Sequence, residues 1–115
     1  MATDCLFCKI IAGEIPATLH YEDSQLVVFK DINPQAPEHF LIVPRQHIRT
    51  TLDLTPAEND LIGHVYQVAA KIAKDHGFAD DGFRVVNNCN LAGGQSVWHL
   101  HFHLLGGRTL SWPPG

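Results

Sequence analysis

Close to the C-terminus the chain runs His99-Leu100-His101-Phe102-His103-Leu104-Leu105. An imidazole titrates near neutral pH and can act as nucleophile, proton donor or metal ligand, so this row concentrates chemical capability. In an extended strand successive side chains alternate between faces, which places His99, His101 and His103 together and Leu100, Phe102 and Leu104 opposite them. A partly exposed strand can carry histidines on its polar face with no chemical role. Here, however, the row follows Gly93-Gly94-Gln95-Ser96 at a distance of three residues. Glycines let backbone N–H groups approach an oxyanion closely, and Ser96 adds a hydroxyl. The combination points to a phosphate or metal site.

A second constellation is Cys5-x-x-Cys8. Two thiolates and two converging histidines would complete a tetrahedral zinc site. Two buried, unligated thiols at a helix start, or a redox pair, are the alternatives from spacing alone. The third cysteine, Cys89, lies in the loop Asn87-Asn88-Cys89-Asn90, with nothing to mark it as a catalytic thiol. Three cysteines cannot all pair within one chain, which argues against a secreted disulfide framework.

The elements that must position these groups follow from pattern. Phe7, Ile10 and Ile11 have helical spacing in a short segment ended by Gly13 and Pro16. Leu19 to Glu22 and Leu26 to Lys30 flank the turn-like Asp23-Ser24-Gln25 and predict a hairpin. A third strand, Phe40 to Val43, follows the proline-bearing Asp31–Pro37 segment and stops at Pro44. Thr55-Pro56-Ala57-Glu58 joins a capping threonine, a proline at the first helical position and a glutamate at the third. The long helix it opens carries Leu61, Val65, Val68, Ala69 and Ile72 in one apolar stripe and stops near Gly77. Two more strands, Phe83 to Asn87 and Trp98 to Leu105, flank the polar loop 88–95. Connections too short for repeated crossover helices predict an α+β fold, an approximately five-stranded, mostly antiparallel sheet with helices on one side.

The whole chain fits one small domain, residues 1–115. Hydrophobic residues make up 45% and charged residues 17%, a globular balance with no place for extended disorder. A formal net charge of -4 excludes the broad basic surface of a nonspecific nucleic-acid binder, while leaving room for a small anion at one local cluster. The start, Met1-Ala2-Thr3-Asp4-Cys5, lacks the features of a secretory signal, and no apolar run approaches the ~20 residues that span a bilayer. A cytoplasmic protein without membrane partners is the expectation.

The row His99 to Leu105 resembles the signature of the histidine-triad (HIT) superfamily, His-φ-His-φ-His-φ-φ with φ hydrophobic. Cys5 to Pro16, the Asp31 to His39 segment, Gly94-Gln95-Ser96-Val97 and the ending Gly106 to Trp112-Pro113-Pro114-Gly115 resemble its Hint branch, so the likeness covers nearly the whole chain. The resemblance implies hydrolysis of the P–N bond of purine nucleoside phosphoramidates through a nucleotidyl-histidine intermediate. The competing reading is a nucleotide-binding regulatory or scaffold protein on the same fold.

By the same resemblance His101 is the nucleophile, His103 and Ser96 hold the phosphate oxygens, and Asn87 and the Gly94-Gln95 backbone assist, next to Val97. His39 would support the nucleophile from behind. Asp31 would bind the ribose hydroxyls, and Phe7, Ile10, Phe29 and Ile32 would enclose the base, although apolar residues of this kind can equally be core. Some HIT proteins bind zinc through positions that here are Cys5, Cys8, His47 and His99; many Hint proteins lack the cysteines, which this chain keeps. A structural zinc site with four protein ligands is therefore expected, with no organic cofactor. Hint proteins are homodimers whose sheet extends across the pair, which makes Trp112 a candidate contact with the partner's substrate. His20, His64 and His76 match no motif and are expected at the solvated surface.

Overall fold

The computed structural model describes residues 4–115. Met1 to Thr3, part of the segment read above for a secretory leader, lie outside them. The elements run α1 (Leu6–Ile11), β1 (Tyr21–Glu22), β2 (Leu26–Lys30), β3 (Glu38–Pro44), α2 (Asn59–Asp75), β4 (Phe83–Val86) and β5 (Phe102–Gly106). The strands form one sheet in the order β1-β2-β3-β5-β4, antiparallel at every pairing.

The signals at the start of α2 act one turn early. Thr55 and Glu58 form the reciprocal capping box, with the Glu58 carboxylate accepting from the Thr55 N–H at 2.7 Å, but they close a 3-10 turn over Pro56–Glu58. The α-helix continues directly from Asn59. At the other end Gly77 takes φ of +80°, a conformation that costs glycine no Cβ clash and turns the chain away.

Alternation along the strands divides the sheet into two unlike faces. Leu26, Val28, Phe40, Ile42, Phe102 and Leu104 point to one side, where the apolar stripe of α2 covers them. Burying each such aliphatic side chain contributes about 1.5–3 kcal/mol, and this is where the main core sits. Val27, Phe29, Leu41 and Val43 point to the other side and pack against Phe7 of α1. The helices thus lie on both sides of the sheet, contrary to the one-sided arrangement expected from the sequence. The short α1 has a single fully buried residue, Phe7, and covers only part of its face. The uncovered part is the site.

The last strand is shorter than expected. Ladder pairing begins at Phe102 rather than Trp98: β3 runs on past Ile42 to Pro44, but the chain before Phe102 leaves the ladder, and the Leu100 N–H donates instead to the Ile48 carbonyl. The alternation of side chains nonetheless continues through the irregular stretch: Leu100 joins the α2-side core, while His99 and His101 are buried opposite it.

Candidate active site

A cavity of about 670 Å³ opens on the α1 side of the sheet. His101, His103, Ser96, Val97 and Asp31 stand along it with the apolar Phe7, Ile10, Phe29 and Ile32. Residues from four separate stretches of chain thus meet at one opening. Leu41 also lines it, and alternation from His39 along β3 would have revealed this position. Thr18, His20 and Lys30 line it too, and no motif in the sequence marks them.

His101 is 5% exposed and its protonation pattern can be read from its contacts. Nδ1 lies 2.7 Å from the His99 carbonyl oxygen, an acceptor, so Nδ1 carries the proton and Nε2 keeps its lone pair. Burial pushes its pKa below the ordinary imidazole value, against the opposing effects of that hydrogen bond and of Asp31, so the neutral form prevails. The Phe7 ring meets the imidazole edge to face, with centroids 5.0 Å apart, and limits its rotation. From the far side the Asn87 amide donates to the His101 carbonyl at 2.9 Å, while the Asn87 carbonyl accepts from the Thr51 hydroxyl.

His103 belongs to a second hydrogen-bonded series. The Gln35 N–H donates to His39 Nδ1 at 3.0 Å, which leaves the His39 proton on Nε2. That nitrogen is 2.8 Å from His103 Nδ1, which must therefore accept, so the remaining His103 proton resides on Nε2. His39 consequently supports His103, and its ring makes no hydrogen bond to the proposed nucleophile, a correction to the expected pairing. Burial, with His101 and His39 as neighbours, lowers the His103 pKa to about 4, and burial lowers that of His39 as well. Asp31 places Oδ2 3.5 Å from His39 and 3.9 Å from His103, while Oδ1 accepts the Asn33 N–H at 2.8 Å. Oδ1 thus already accepts one N–H in a local turn and keeps its second lone pair. These three side chains lie close enough to suggest a metal, but a 2.8 Å N–H···N contact already holds a proton between the rings.

The glycine loop works differently from its sequence reading. The N–H groups of Gly94 and Gln95 donate to the Leu91 and Asn90 carbonyls, so neither is free to cradle an oxyanion. The Gln95 side chain is buried and ties the loop together, accepting from the Asn90 N–H and donating to the Arg49 and Val97 carbonyls. Gly93 is required for a close approach: a Cβ there would sit 2.4 Å from the Cys89 carbonyl oxygen. The loop thereby presents Ser96 and Val97 to the cavity. Trp112 is 81% exposed and does not line the cavity; the tail it belongs to is held where Arg84 donates to the Ser111 carbonyl at 2.9 Å.

Cys5, Cys8, His47 and His99 bring one ligand atom each within 4.8 Å of all the others. His99 is fully buried, and its Nε2–H donates to the Pro44 carbonyl at 2.7 Å. The lone pair of Nδ1 is thereby directed to the cluster, 3.3 Å from Cys5 Sγ and 3.1 Å from His47 Nδ1. Burial, followed by the neighbouring Cys5, pushes the Cys8 thiol up to about 11. Two sulfurs and two imidazole nitrogens facing one centre form a donor set suited to a soft divalent cation, whose charge would favour the thiolates.

A family model described as "Scavenger mRNA decapping enzyme C-term binding" matches residues 4–111. A HIT-like protein of Synechococcus elongatus is 48% identical over 115 residues, all of both chains. The chain belongs to the histidine-triad superfamily and is Hint-like. Within it, a purine nucleoside phosphoramidase of Escherichia coli K12 is 47% identical over 110 residues, 96% of this chain and 92% of that one. Among solved structures, a HIT family hydrolase from Legionella pneumophila Philadelphia 1 superposes with a TM-score of 0.95 at 49% identity, covering 97% of this chain and 100% of that one. A histidine triad protein from Clostridium difficile gives 0.91 at 50% identity, covering 95% of each chain. The five-stranded antiparallel sheet with one main helix is therefore the HIT fold.

Proposed function

We propose that this HIT protein is a nucleotide hydrolase that cleaves the P–N bond of purine nucleoside phosphoramidates. The observation that carries this reading is His101: buried, neutral, with Nδ1–H fixed on a carbonyl and the Nε2 lone pair left free beside a cavity of nucleotide size. The 47% identity to a purine nucleoside phosphoramidase adds the substrate class.

Nε2 of His101 attacks phosphorus and forms an N–P bond. The P–N bond to the amine breaks, and the departing nitrogen takes its electron pair and a proton from the medium. Water then cleaves the nucleotidyl-histidine, releasing the nucleoside monophosphate and restoring the imidazole. Division into two displacements lowers each barrier. His103 donates from Nε2–H to a phosphoryl oxygen, with Ser96 alongside, stabilising charge that grows in the transition state. Asp31 receives the ribose on Oδ2, and Phe7, Ile10, Phe29 and Ile32 hold the base. Asn87 and the Gly94-Gln95 turn act by holding His101 and the Ser96 loop in place.

Cys5, Cys8, His47 and His99 would hold a structural zinc ion, which would supply a crosslink between the N-terminal segment and the triad. Metal analysis of the wild type should give one zinc per chain, and Cys5→Ser with Cys8→Ser should remove it; unchanged metal content would eliminate these ligands. A homodimer is proposed as well, supported by the exposed apolar Phe83 on the edge strand β4 and Tyr66 on α2. Three free cysteines suit a reducing, cytoplasmic setting.

The decisive experiment is incubation with adenosine 5'-phosphoramidate. Turnover by the wild type and a loss of about 10³-fold or more in kcat for His101→Ala are expected. No wild-type turnover, or an undiminished His101→Ala rate, would reject the assignment.

A further inference from the structure

Ser96 and Val97, which face the cavity holding His101, also border a second one. It encloses about 460 Å³ and shares Leu6 with the first as well, so the two meet along one wall. Arg49, Trp98 and Asp4 line its other sides. Cys5 and His47 border it too, whereas Cys8 and His99 do not, so this recess is distinct from the point on which the four cluster ligands converge. The Arg49 guanidinium lies over the Trp98 indole, 4.6 Å from the ring centroid, and rests its planar fork on a flat support. The backbone that carries it is fixed at two carbonyls: that of Ile48 accepts from the Leu100 N–H, and that of Arg49 accepts from the buried Gln95 amide. The same amide donates to the Val97 carbonyl, which ties the Arg49 wall to the Ser96 loop. Arg45, Arg84 and Arg108 all engage their guanidinium groups with carbonyls or a carboxylate. Among the described residues Arg49 alone of the four arginines has neither an ion pair nor a side-chain hydrogen bond.

We infer that this recess receives the leaving group, and that Arg49 selects amines whose far end carries a carboxylate. The inference rests on the phosphoramidase reading and deepens it. The nucleoside fills the apolar end of the first cavity, at Phe7, Ile10, Phe29 and Ile32, and its phosphoryl group meets His101, His103 and Ser96. A substituent on the phosphoramidate nitrogen then extends away from the base, and beyond the shared wall at Ser96 and Val97 lies the recess. A guanidinium presents parallel N–H groups that match the two oxygens of a carboxylate, and stacking on an indole reduces the freedom lost when they engage. Asp4 borders the recess without an ion pair to Arg49 among the described residues, so it leaves that cation available and opposes a second negative charge. One carboxylate therefore suits the recess better than a dianionic phosphate. The bonds that form and break are those already described; Arg49 holds the carboxylate while the P–N bond breaks and the amine takes its proton.

Two substrates of equal size test this on the full-length protein. One is adenosine 5'-monophosphate joined through a P–N bond to β-alanine, and the other is the same compound with the carboxylate converted to its primary amide. The wild type should cleave the acid with a kcat/KM about tenfold above that of the amide, the size of one charge-assisted hydrogen bond with water nearby. Taking the ratio within one preparation cancels any difference in folded fraction. Arg49→Gln should bring the ratio to about one, and Arg49→Lys, which keeps the charge without the planar fork, should leave it at about threefold. Added salt should lower the wild-type ratio, because the contact is exposed to solvent. A third substrate, built on O-phosphoethanolamine, should be cleaved more slowly than the acid; faster cleavage would overturn the carboxylate assignment. A ratio that stays near tenfold in Arg49→Gln, or does not respond to salt, would overturn the role of Arg49. If adenosine 5'-phosphoramidate is cleaved while the acid has no advantage over the amide, this inference alone fails. If none of these compounds is cleaved, the phosphoramidase reading fails and the inference goes with it.

Discussion

The two faces of the sheet are made from the same strands and have opposite chemistry. On the α2 side, Leu100, Phe102 and Leu104 interlock with Val65, Val68 and Ile72, and water is excluded by apolar packing alone. On the α1 side, His99, His101 and His103 alternate with them in sequence, and a six-residue helix covers too little of the face to bury it. The comparison shows how one strand can serve stability and chemistry at once. Opposite faces of a pleat are separated by the backbone itself, so polar groups on one side do not disturb packing on the other.

The sharpest way to test that separation is to cut each face once. His101→Ala should abolish turnover while changing the denaturant midpoint little, because its ring contributes few apolar contacts to the α2 core. Leu104→Ala, one residue beyond His103, should cost about 2–5 kcal/mol in chemical denaturation, yet leave the kcat of the folded fraction within about threefold. Loss of activity without unfolding in Leu104→Ala would show that the faces communicate and would break the comparison.

Acid provides a finer contrast. Burial holds the folded-state pKa values of His39, His101 and His103 below the ordinary imidazole value of 6.5, that of His103 at about 4. The unfolded chain therefore binds protons that the folded chain refuses, so stability is fully present above about pH 6.5 and declines as pH falls toward about 4. Asp23, near the α2 side, behaves in a lower window. Burial raises its pKa, but hydrogen bonds from Tyr21, His64 and the Gln25 and Leu26 N–H groups outweigh that and depress it below the ordinary 3.8. Its contribution is present above that value and is lost only at lower pH. Denaturant midpoints measured from pH 7 to about 1.5 should show both phases. His103→Gln should diminish the first alone, and Asp23→Asn, the smallest change at about 1–2 kcal/mol, the second alone. A single transition that responds equally to both substitutions would merge the two regions.

His64 illustrates how a residue without a motif is misread. The sequence places it at the solvated surface, whereas it is half-buried and 2.6 Å from Asp23, joining α2 to the hairpin turn across 41 residues of chain. No local pattern signals such a pairing, because its two halves become neighbours only when the helix docks. His20 and His76 do remain exposed, although their rings meet each other and Phe40. By contrast the hairpin, the long helix and its stop at Gly77 were legible, since each depends on residues close in sequence.

What the sequence determined by itself is whatever depends on period and short-range spacing: an α+β chain, alternate faces for the histidine row, and the pattern that identifies the superfamily. Tertiary structure alone decided which histidine contacts which. The pairing of His39 with His103 follows from the register of β3 against β5. The proton on His101 Nδ1 is determined by a carbonyl two residues away that the chain presents only because it leaves the strand there. Equal residues acquire unequal roles because an imidazole's chemistry depends on which nitrogen is engaged, and that is set by neighbours brought in from distant parts of the chain.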